Sequence, residues 1–402
     1  MPLQLFRSTD TNAPTLTGQS GSMTTLLDAC LVDGYTTASV TSITRSSNTA
    51  TVTIGSANTT LRTGDYVKIA GASETDYNVV AQITVTDSTH FTYSVSNTPS
   101  TPATGTITYR KAAAGWDTAY TGTNKRVYRS PNTSSNRLYL RIDDSTTVGN
   151  VREAYARGYE TMSDIDTGTN PFPTVAQVAN GLTWNKSYSA DSTARTWTLV
   201  GDDKTFYLIV ATGIPTYNTT LVFGFGHLIS YKAADGFNTF LAGANISNYT
   251  TATGVTTGYS GLQLASAWGA TTSVGNVPLY LARSYSQTGS SVGASVHDGK
   301  VAAGSPIGVA SSGIVYPNGP DSGLWVSPVF VSDFTGSVHN VRGRLPGMYS
   351  HLHSTIPQSN GDTVTGVVGL SGITLLAASH SANTASNVVT SGMFHIDITG
   401  PW

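Results

Sequence analysis

Cysteine occurs once in the 402 residues, at Cys30, and a single thiol excludes both an internal disulfide framework and any site that needs several cysteine ligands. Charge is scarce as well. Asp, Glu, Lys and Arg make up 11% of the chain, less than half the usual share of about 25%, and Glu stands only at Glu74, Glu153 and Glu160. The formal net charge of -2 supplies no basic field for gripping nucleic acid and no polybasic patch for a membrane surface. No apolar run approaches the roughly 18 residues needed to span a bilayer. The opening Met-Pro-Leu-Gln-Leu-Phe-Arg lacks the long apolar core of a signal peptide. These absences are those of a chain made in a reducing cytosol, with its working place left open.

What is present is Thr, Ser, Gly and aromatic material. Ser and Thr together fill roughly a quarter of the chain, beside 41 Gly, 20 Tyr and 6 Trp. The hydrophobic share of 39% is too high for a disordered polar chain. Thr, Val and Tyr at turn spacing predict pleated strands with short connections. The fold class expected is all-β, mainly antiparallel sandwich-like or barrel-like domains, with one or two short helices. One helix is predicted over Met23 to Val32, where Met23, Leu26, Leu27, Cys30 and Leu31 share a face, with Ser22 as its cap and Gly34 as its stop. Inside that apolar stripe Cys30 reads as a buried structural thiol. A second, shorter helix is predicted from about Thr174 to Ala179, after Pro173 and before Gly181.

Three regions are expected. Residues 38–109 carry about six strands, among them Val40–Thr44, Thr51–Ile54, Tyr66–Ile69 and Phe91–Val95, with Arg45-Ser46-Ser47-Asn48 as a hairpin turn. Strands of this size and spacing make a small sandwich or barrel, inserted into a host domain of residues 1–37 and 110–249. The ends of the insert, near Tyr35 and Lys111, must then lie together, with the module standing outward on two adjacent linkers. In the host, Leu138–Ile142, Trp197–Val200, Thr205–Val210 and Leu221–Phe225 are the clearest strands, and Gly201-Asp202-Asp203-Lys204 is a hairpin connection. Residues 250–402 form a Gly/Ser/Thr-rich β domain, with Thr250–Ser260 and Ser284–Ser312 expected as exposed loops or edge segments.

Motifs for chemistry are sparse. A nucleophile elbow needs Gly-x-Ser-x-Gly; Gly258-Tyr259-Ser260-Gly261 and Gly369-Leu370-Ser371-Gly372 bring the second glycine one place early, and read as turns. Phosphate and dinucleotide loops are missing, so no cofactor is expected. A glycosidase needs two facing carboxylates, for which Asp143, Asp144, Asp164, Asp166, Asp202 and Asp203 are the candidates. Asp202-Asp203 reads as a turn and Asp143-Asp144 as the end of a strand, so no catalytic residue is assigned. His351-Leu352-His353 would project both imidazoles from one face of a strand. Around a three-fold axis six such nitrogens could surround an axial transition metal. Two ligands per chain are otherwise too few, and Pro346-Gly347 and Ile356-Pro357 favour a loop, so no metal is expected at His351 and His353. The basic clusters Lys125-Arg126-Val127-Tyr128-Arg129 and Arg342-Gly343-Arg344 are short, and each is expected to pair with nearby aspartates or a neighbouring subunit.

Trp116-Asp117-Thr118-Ala119-Tyr120-Thr121-Gly122-Thr123-Asn124-Lys125, Arg137-Leu138-Tyr139-Leu140-Arg141-Ile142-Asp143-Asp144 and Arg157-Gly158-Tyr159-Glu160-Thr161-Met162 together resemble virion structural proteins of tailed bacteriophages. Arg342-Gly343-Arg344-Leu345-Pro346-Gly347-Met348-Tyr349 fits the same group. Residues 38–109 resemble Thr/Gly-rich β modules inserted into phage tail and fibre proteins, through Leu61–Ala72, Tyr77-Asn78 and Phe91-Thr92-Tyr93. Asn58-Thr59-Thr60 here replaces the usual His-Gly before that leucine. The resemblance implies a non-enzymatic repeated subunit of a virion, at the tail or baseplate. Its partners would be copies of itself, as a trimer or hexameric ring, and other virion proteins, without nucleic acid or membrane insertion. The alternatives are a receptor-binding or capsid-decorating subunit that touches host glycans or the capsid, and a polysaccharide-cleaving enzyme.

Overall fold

The computed structural model describes residues 2–145, 152–213, 220–244, 279–297, 314–335, 338–353, 356–379 and 393–402. Its described part is all-β, and three antiparallel sheets carry it. The largest has thirteen strands. It starts at Gln4–Arg7 and runs through Trp197–Gly201, Thr205–Ala211, Thr220–His227, Thr239–Ala242, Leu279–Leu281 and Val292–His297. The long hairpin Val326–Thr335 and Val338–His351 follows, then Met393–Asp397, Leu375–Ser379 and Thr363–Val364, with Ile229–Ser230 paired to Val338–His351 as the thirteenth strand. This sheet does not stop at residue 250: Thr239–Ala242 pairs directly with Leu279–Leu281.

The unbroken apolar runs of this sheet have a simple cause. On Thr205–Ala211, Phe206, Leu208 and Val210 face one core, while Tyr207 and Ile209 face another. The same alternation continues in Leu221, Phe223 and Phe225 against Val222, and in Leu241 against Phe240 and Ala242. A sheet covered on both faces must be apolar at every position, so its strands lose the usual polar alternation.

The first core is closed by a six-stranded sheet, ordered Gly168–Phe172, Glu153–Met162, Tyr139–Asp143, Lys125–Arg129 and Asp117–Gly122, with Leu182–Asn185 paired to the other half of Glu153–Met162. Trp184 stacks on Phe223 with ring centroids 5.5 Å apart, and its Nε1 donates to the Ala242 carbonyl at 2.9 Å, so a large apolar body is buried without an orphaned donor. The helix Ser22–Leu27, extended by a wider π turn over Asp28–Asp33, plugs this core with Met23, Leu26, Leu27, Cys30 and Leu31. Cys30 is fully buried, and burial pushes its thiol pKa well above the ordinary value.

The helix is capped by Gly21, in the left-handed region, and not by Ser22, whose hydroxyl donates to the Thr17 and Gln19 carbonyls. Two elements also differ from the sequence reading. Thr174 to Ala179 is a turn and not a helix. Thr174 and Gln177 cap each other's backbone N–H groups, and the Gln177 amide reaches across to the Ser291 carbonyl at 2.8 Å, which closes one turn and stops. Within Ser284–Ser312, Val292–His297 is an inner strand of the large sheet and not an exposed loop. Its small residues Gly293, Ala294 and Ser295 mask the strand pattern in sequence. Residues 298–312 and Thr250–Ser260 lie outside the described residues.

Residues 35–111 build the third sheet, seven strands ordered Val80–Gln82, Tyr66–Ala72, Gly105–Lys111, Tyr35–Ser46, Thr49–Ile54, His90–Ser94 and Thr84–Asp87. Its two outer strands are one stretch of chain divided only at Ile83, so the sheet curls until its edges meet around Ile43, Val52, Val67, Ile69, Phe91 and Tyr109. Such closure hides the unpaired backbone that an open edge would present.

Tyr35 and Lys111 are register partners at the junction. The junction is more than two linkers, because a buried ion cluster ties the barrel to the N-terminal segment. Lys111 Nζ lies 2.9 Å from Asp10 Oδ2 and 3.4 Å from Asp65 Oδ1; Arg62 Nη1 meets Asp10 Oδ1 at 3.0 Å, and the Tyr35 hydroxyl donates to Asp10 at 2.8 Å. Burial opposes ionisation of Asp10, yet Lys111, Arg62 and Tyr35 outweigh it and hold the carboxyl below its ordinary pKa.

Lys111→Ala should therefore cost about 3–5 kcal/mol in urea unfolding, since Asp65 would stay buried without its cation and Asp10 would keep only the partly exposed Arg62. Because the Asp10 pKa is depressed on folding, its contribution is present above the ordinary carboxylate value and is lost as pH falls through the lower, folded value. The acid limb of the stability curve should flatten in Asp10→Asn.

Candidate functional site

The carboxylates singled out in the sequence divide into four settings. Asp143, at the end of Tyr139–Asp143, and Asp166, in the turn before Gly168–Phe172, are brought together by two cations. Lys125 Nζ sits 2.9 Å from Asp166 and 3.6 Å from Asp143, while Arg141 Nη2 sits 2.9 Å from Asp143 and also bonds Asp166. For Asp143 the penalty of burial is exceeded by hydrogen bonds from Ser145 and the charge of Arg141; for Asp166 the Lys125 hydrogen bond leads. Both carboxyls are held below their ordinary pKa. A general acid must keep its proton at working pH, and this pair is tuned the opposite way.

Asp164 and Asp202 cap turns. Asp164 accepts the N–H groups of Asp166 and Thr167, each at 2.8 Å, and Asp202 accepts those of Lys204 and Thr205, each at 2.8 Å, inside the Gly201–Lys204 hairpin. Asp203 accepts the Asn132 side-chain amide at 3.2 Å. These bonds are what backbone turns need. Burial, helped by the neighbouring charge of Asp203, nonetheless raises the Asp202 pKa above its ordinary value against the Lys204 and Thr205 N–H groups.

The histidine pair takes a geometry different from one strand face. The strand Val338–His351 ends at His351, and His353 lies beyond it. Its Nε2 accepts the Trp325 N–H at 2.7 Å and its Nδ1 donates to the Val315 carbonyl at 3.1 Å, so both ring nitrogens serve the backbone and no lone pair is left for a metal. The His351 ring meets His395 instead, with centroids 6.0 Å apart. Among the described residues, no group of three or more His, Cys, Asp or Glu side chains is placed to hold a metal ion.

The basic clusters are drawn inward. Arg126 Nε meets Asp28 at 2.8 Å. Arg342, only 1% exposed, grips Asp235 with two prongs at 2.7 and 2.8 Å and reaches Asp333 at 3.1 Å. Beside it Arg283 clasps Glu160 at 2.6 and 2.7 Å and lies 4.1 Å over the Phe237 ring. Arg342 thus fastens the loop after Thr220–His227 to the long hairpin, and Arg283 fastens the loop after Leu279–Leu281 to Glu153–Met162.

The most perturbed carboxyl is Asp144, and its partner Lys186 was not singled out in the sequence. Both side chains are fully buried, and Lys186 Nζ bonds Asp144 Oδ1 and also the Gln19 carbonyl at 2.6 Å. Asp144 Oδ2 accepts the Met23 N–H at 2.8 Å, at the start of the helix. Burial raises the Asp144 pKa to about 6 against the pull of Lys186, and burial lowers that of Lys186 against the pull of Asp144. Above the pair lies an open polar groove of about 650 Å³, lined by hydroxyl and amide groups such as Thr17, Gln19, Ser22, Thr121, Thr123 and Asn124. A signal for Lys186 did exist: Leu182, Trp184 and Lys186 alternate onto one face, which puts a lysine where a strand should be apolar.

Comparison with protein-family models and with curated proteins finds no match to this chain.

Substitution should separate the buried clusters from the exposed one. Arg342→Ala is expected to cost about 3–5 kcal/mol by leaving Asp235 and Asp333 without their cation. Lys125→Ala, at a partly exposed pair, should cost about 1 kcal/mol or less. Equal losses in parallel denaturant titrations would contradict this ranking.

Proposed function

We propose that this chain is a non-enzymatic structural component of a tailed-bacteriophage virion, associated with the tail or baseplate, made in the bacterial cytoplasm and acting through contacts with its own copies and neighbouring subunits. The observation that carries this reading is how the chain spends its few charges. Asp10, Asp143, Asp144, Asp235, Asp333, Lys111, Lys186 and Arg342 are committed to internal ion pairs, so the exposed charges that remain, such as Lys68, Asp117 and Lys232, are sparse among hydroxyl, amide and backbone groups. Surfaces of that kind suit faces that another subunit covers.

The strings that resemble phage virion proteins support the same reading, and their glycines have a physical reason. Gly158 lies under Phe172, where an added Cβ would come within 2.2 Å of the ring. Gly343 lets Ile229–Ser230 pair with the long hairpin, where a Cβ would approach the Ile229 carbonyl to 2.3 Å. Three of the strings supply strands of the six-stranded sheet, two of them neighbours, and the fourth lies in Val338–His351. The large sheet ends at Gln4–Arg7, where Asp10 takes the Arg7 backbone groups, and at Thr363–Val364, the two edge strands among the described residues at which a symmetry mate could continue the ladder. Many weak copies then stabilise one another by mass action.

The chain should co-purify with phage particles and sediment as a defined oligomer in analytical ultracentrifugation. A stable monomer missing from purified virions would remove this reading. The hydroxyl-lined groove favours one alternative, a receptor-contacting subunit that binds neutral glycans. In that case a glycan array should give a signal that survives deletion of residues 38–109 and fades in Thr123→Trp, which fills the groove.

A further inference from the structure

We propose that Lys186 and Asp144 condense to an intramolecular isopeptide bond, a covalent staple between the end of Tyr139–Asp143 and the end of Leu182–Asn185. The inference is independent of the function proposed above.

The geometry provides each requirement of the reaction. The amine nitrogen of Lys186 is held on Asp144 Oδ1, and both side chains are sealed from solvent. The second carboxyl oxygen, Oδ2, rests on the Met23 N–H at 2.8 Å, a donor already aimed at the atom that gains charge when the carbonyl carbon is attacked. The Gln19 carbonyl fixes the amine from the other side. Glu153, 2% exposed and opposite Asn185 in register, adds a second buried carboxyl whose charge acts on Lys186, and Tyr155 donates to it at 3.0 Å. The remaining polar groups on the pair come from the helix start and from Asn124, whose carbonyl accepts the Asp144 N–H at 2.8 Å.

Proton transfer within the pair gives a neutral amine and a neutral carboxylic acid, the forms that a dry site favours. The amine attacks Cγ of Asp144, and negative charge develops on the oxygen held by Met23 N–H. The nitrogen gives up a proton, the hydroxyl takes it and leaves, and the carbonyl re-forms. One C–N bond is made, one C–O bond is broken, and one water leaves; nothing is oxidised or reduced. The product exchanges two desolvated charges for a neutral amide.

Proximity alone does not predict this, because Lys111 and Asp10 are also close and buried. There a second cation, Arg62, and the Tyr35 hydroxyl keep the carboxylate ionised, and an ion pair does not condense. Asp144 has Lys186 as its one side-chain ion-pair partner among the described residues. The site is therefore specific to one of the buried lysine–aspartate pairs.

Intact mass spectrometry of the denatured full-length chain tests this without relying on a variant that must fold. The expected mass is lower than that of the sequence by one water, once removal of the initiator methionine is accounted for. Digestion should yield a branched fragment joining the Asp144 peptide to the Lys186 peptide, with no cleavage after Lys186. Asp144→Ala and Lys186→Gln should each restore the mass of the sequence. A full sequence mass with trypsin cutting after Lys186 would overturn the proposal, and so would a water loss that maps to Lys111 and Asp10.

Discussion

Burying both faces of one long sheet is the constraint from which most of this structure follows. Phe206, Leu208 and Val210 fill the core shared with the six-stranded sheet and the helix, while Tyr207 and Ile209 fill the core enclosed by the large sheet's own curvature. With no polar face available on Thr205–Ala211 and its neighbours, polar and charged side chains are displaced to strand ends and to the loops between strands. There they meet other displaced charges. The clusters around Lys186 and Lys111 are of this kind, while Arg342 meets Asp333 inside the long hairpin and Asp235 from a loop; each cluster ties together segments far apart in sequence.

Those clusters give the fold its specificity more than its net stability. A buried ion pair gains little over a well-packed apolar pair, but breaking it is costly, because an unmatched charge remains in a dry place. Arg342 with Asp235 and Asp333 admits one arrangement of the Asp235 loop over the long hairpin. Lys111 with Asp10 and Asp65 admits one orientation of the barrel against the N-terminal segment. Joints of this kind hold the segments they connect in one reproducible arrangement.

Part of this was legible from residue order. The alternation in residues 40–54, with a turn at Ser47-Asn48, and the hairpin at Gly201–Lys204 are local patterns, and the structure places them as hairpins. The helix face Met23, Leu26, Leu27, Cys30 and Leu31 likewise reads as a 3.6-residue pattern and packs as one stripe, although Cys30 and Leu31 join it from the wider π turn. The exceptions have local causes too. Thr174 to Ala179 has helix punctuation, but mutual capping by Thr174 and Gln177 is complete after a single turn. Val292–His297 is a strand of small residues, whose identity comes from its neighbours Leu279–Leu281 and Val326–Thr335 rather than from its own propensity.

Sequence alone determined the class: few charges, one cysteine, and β-branched and aromatic residues at period two can only be satisfied by pleated strands with short turns. Only the tertiary structure decided the partners. Lys186 finds Asp144 across 42 residues and Arg342 finds Asp235 across 107, and no periodicity encodes which distant charge will arrive. Strand pairing sets those meetings, because the register of each ladder fixes which side chains emerge together at its end. The chemistry of Asp144 is therefore a property of the fold: the same residue in an exposed loop would be an ordinary carboxylate.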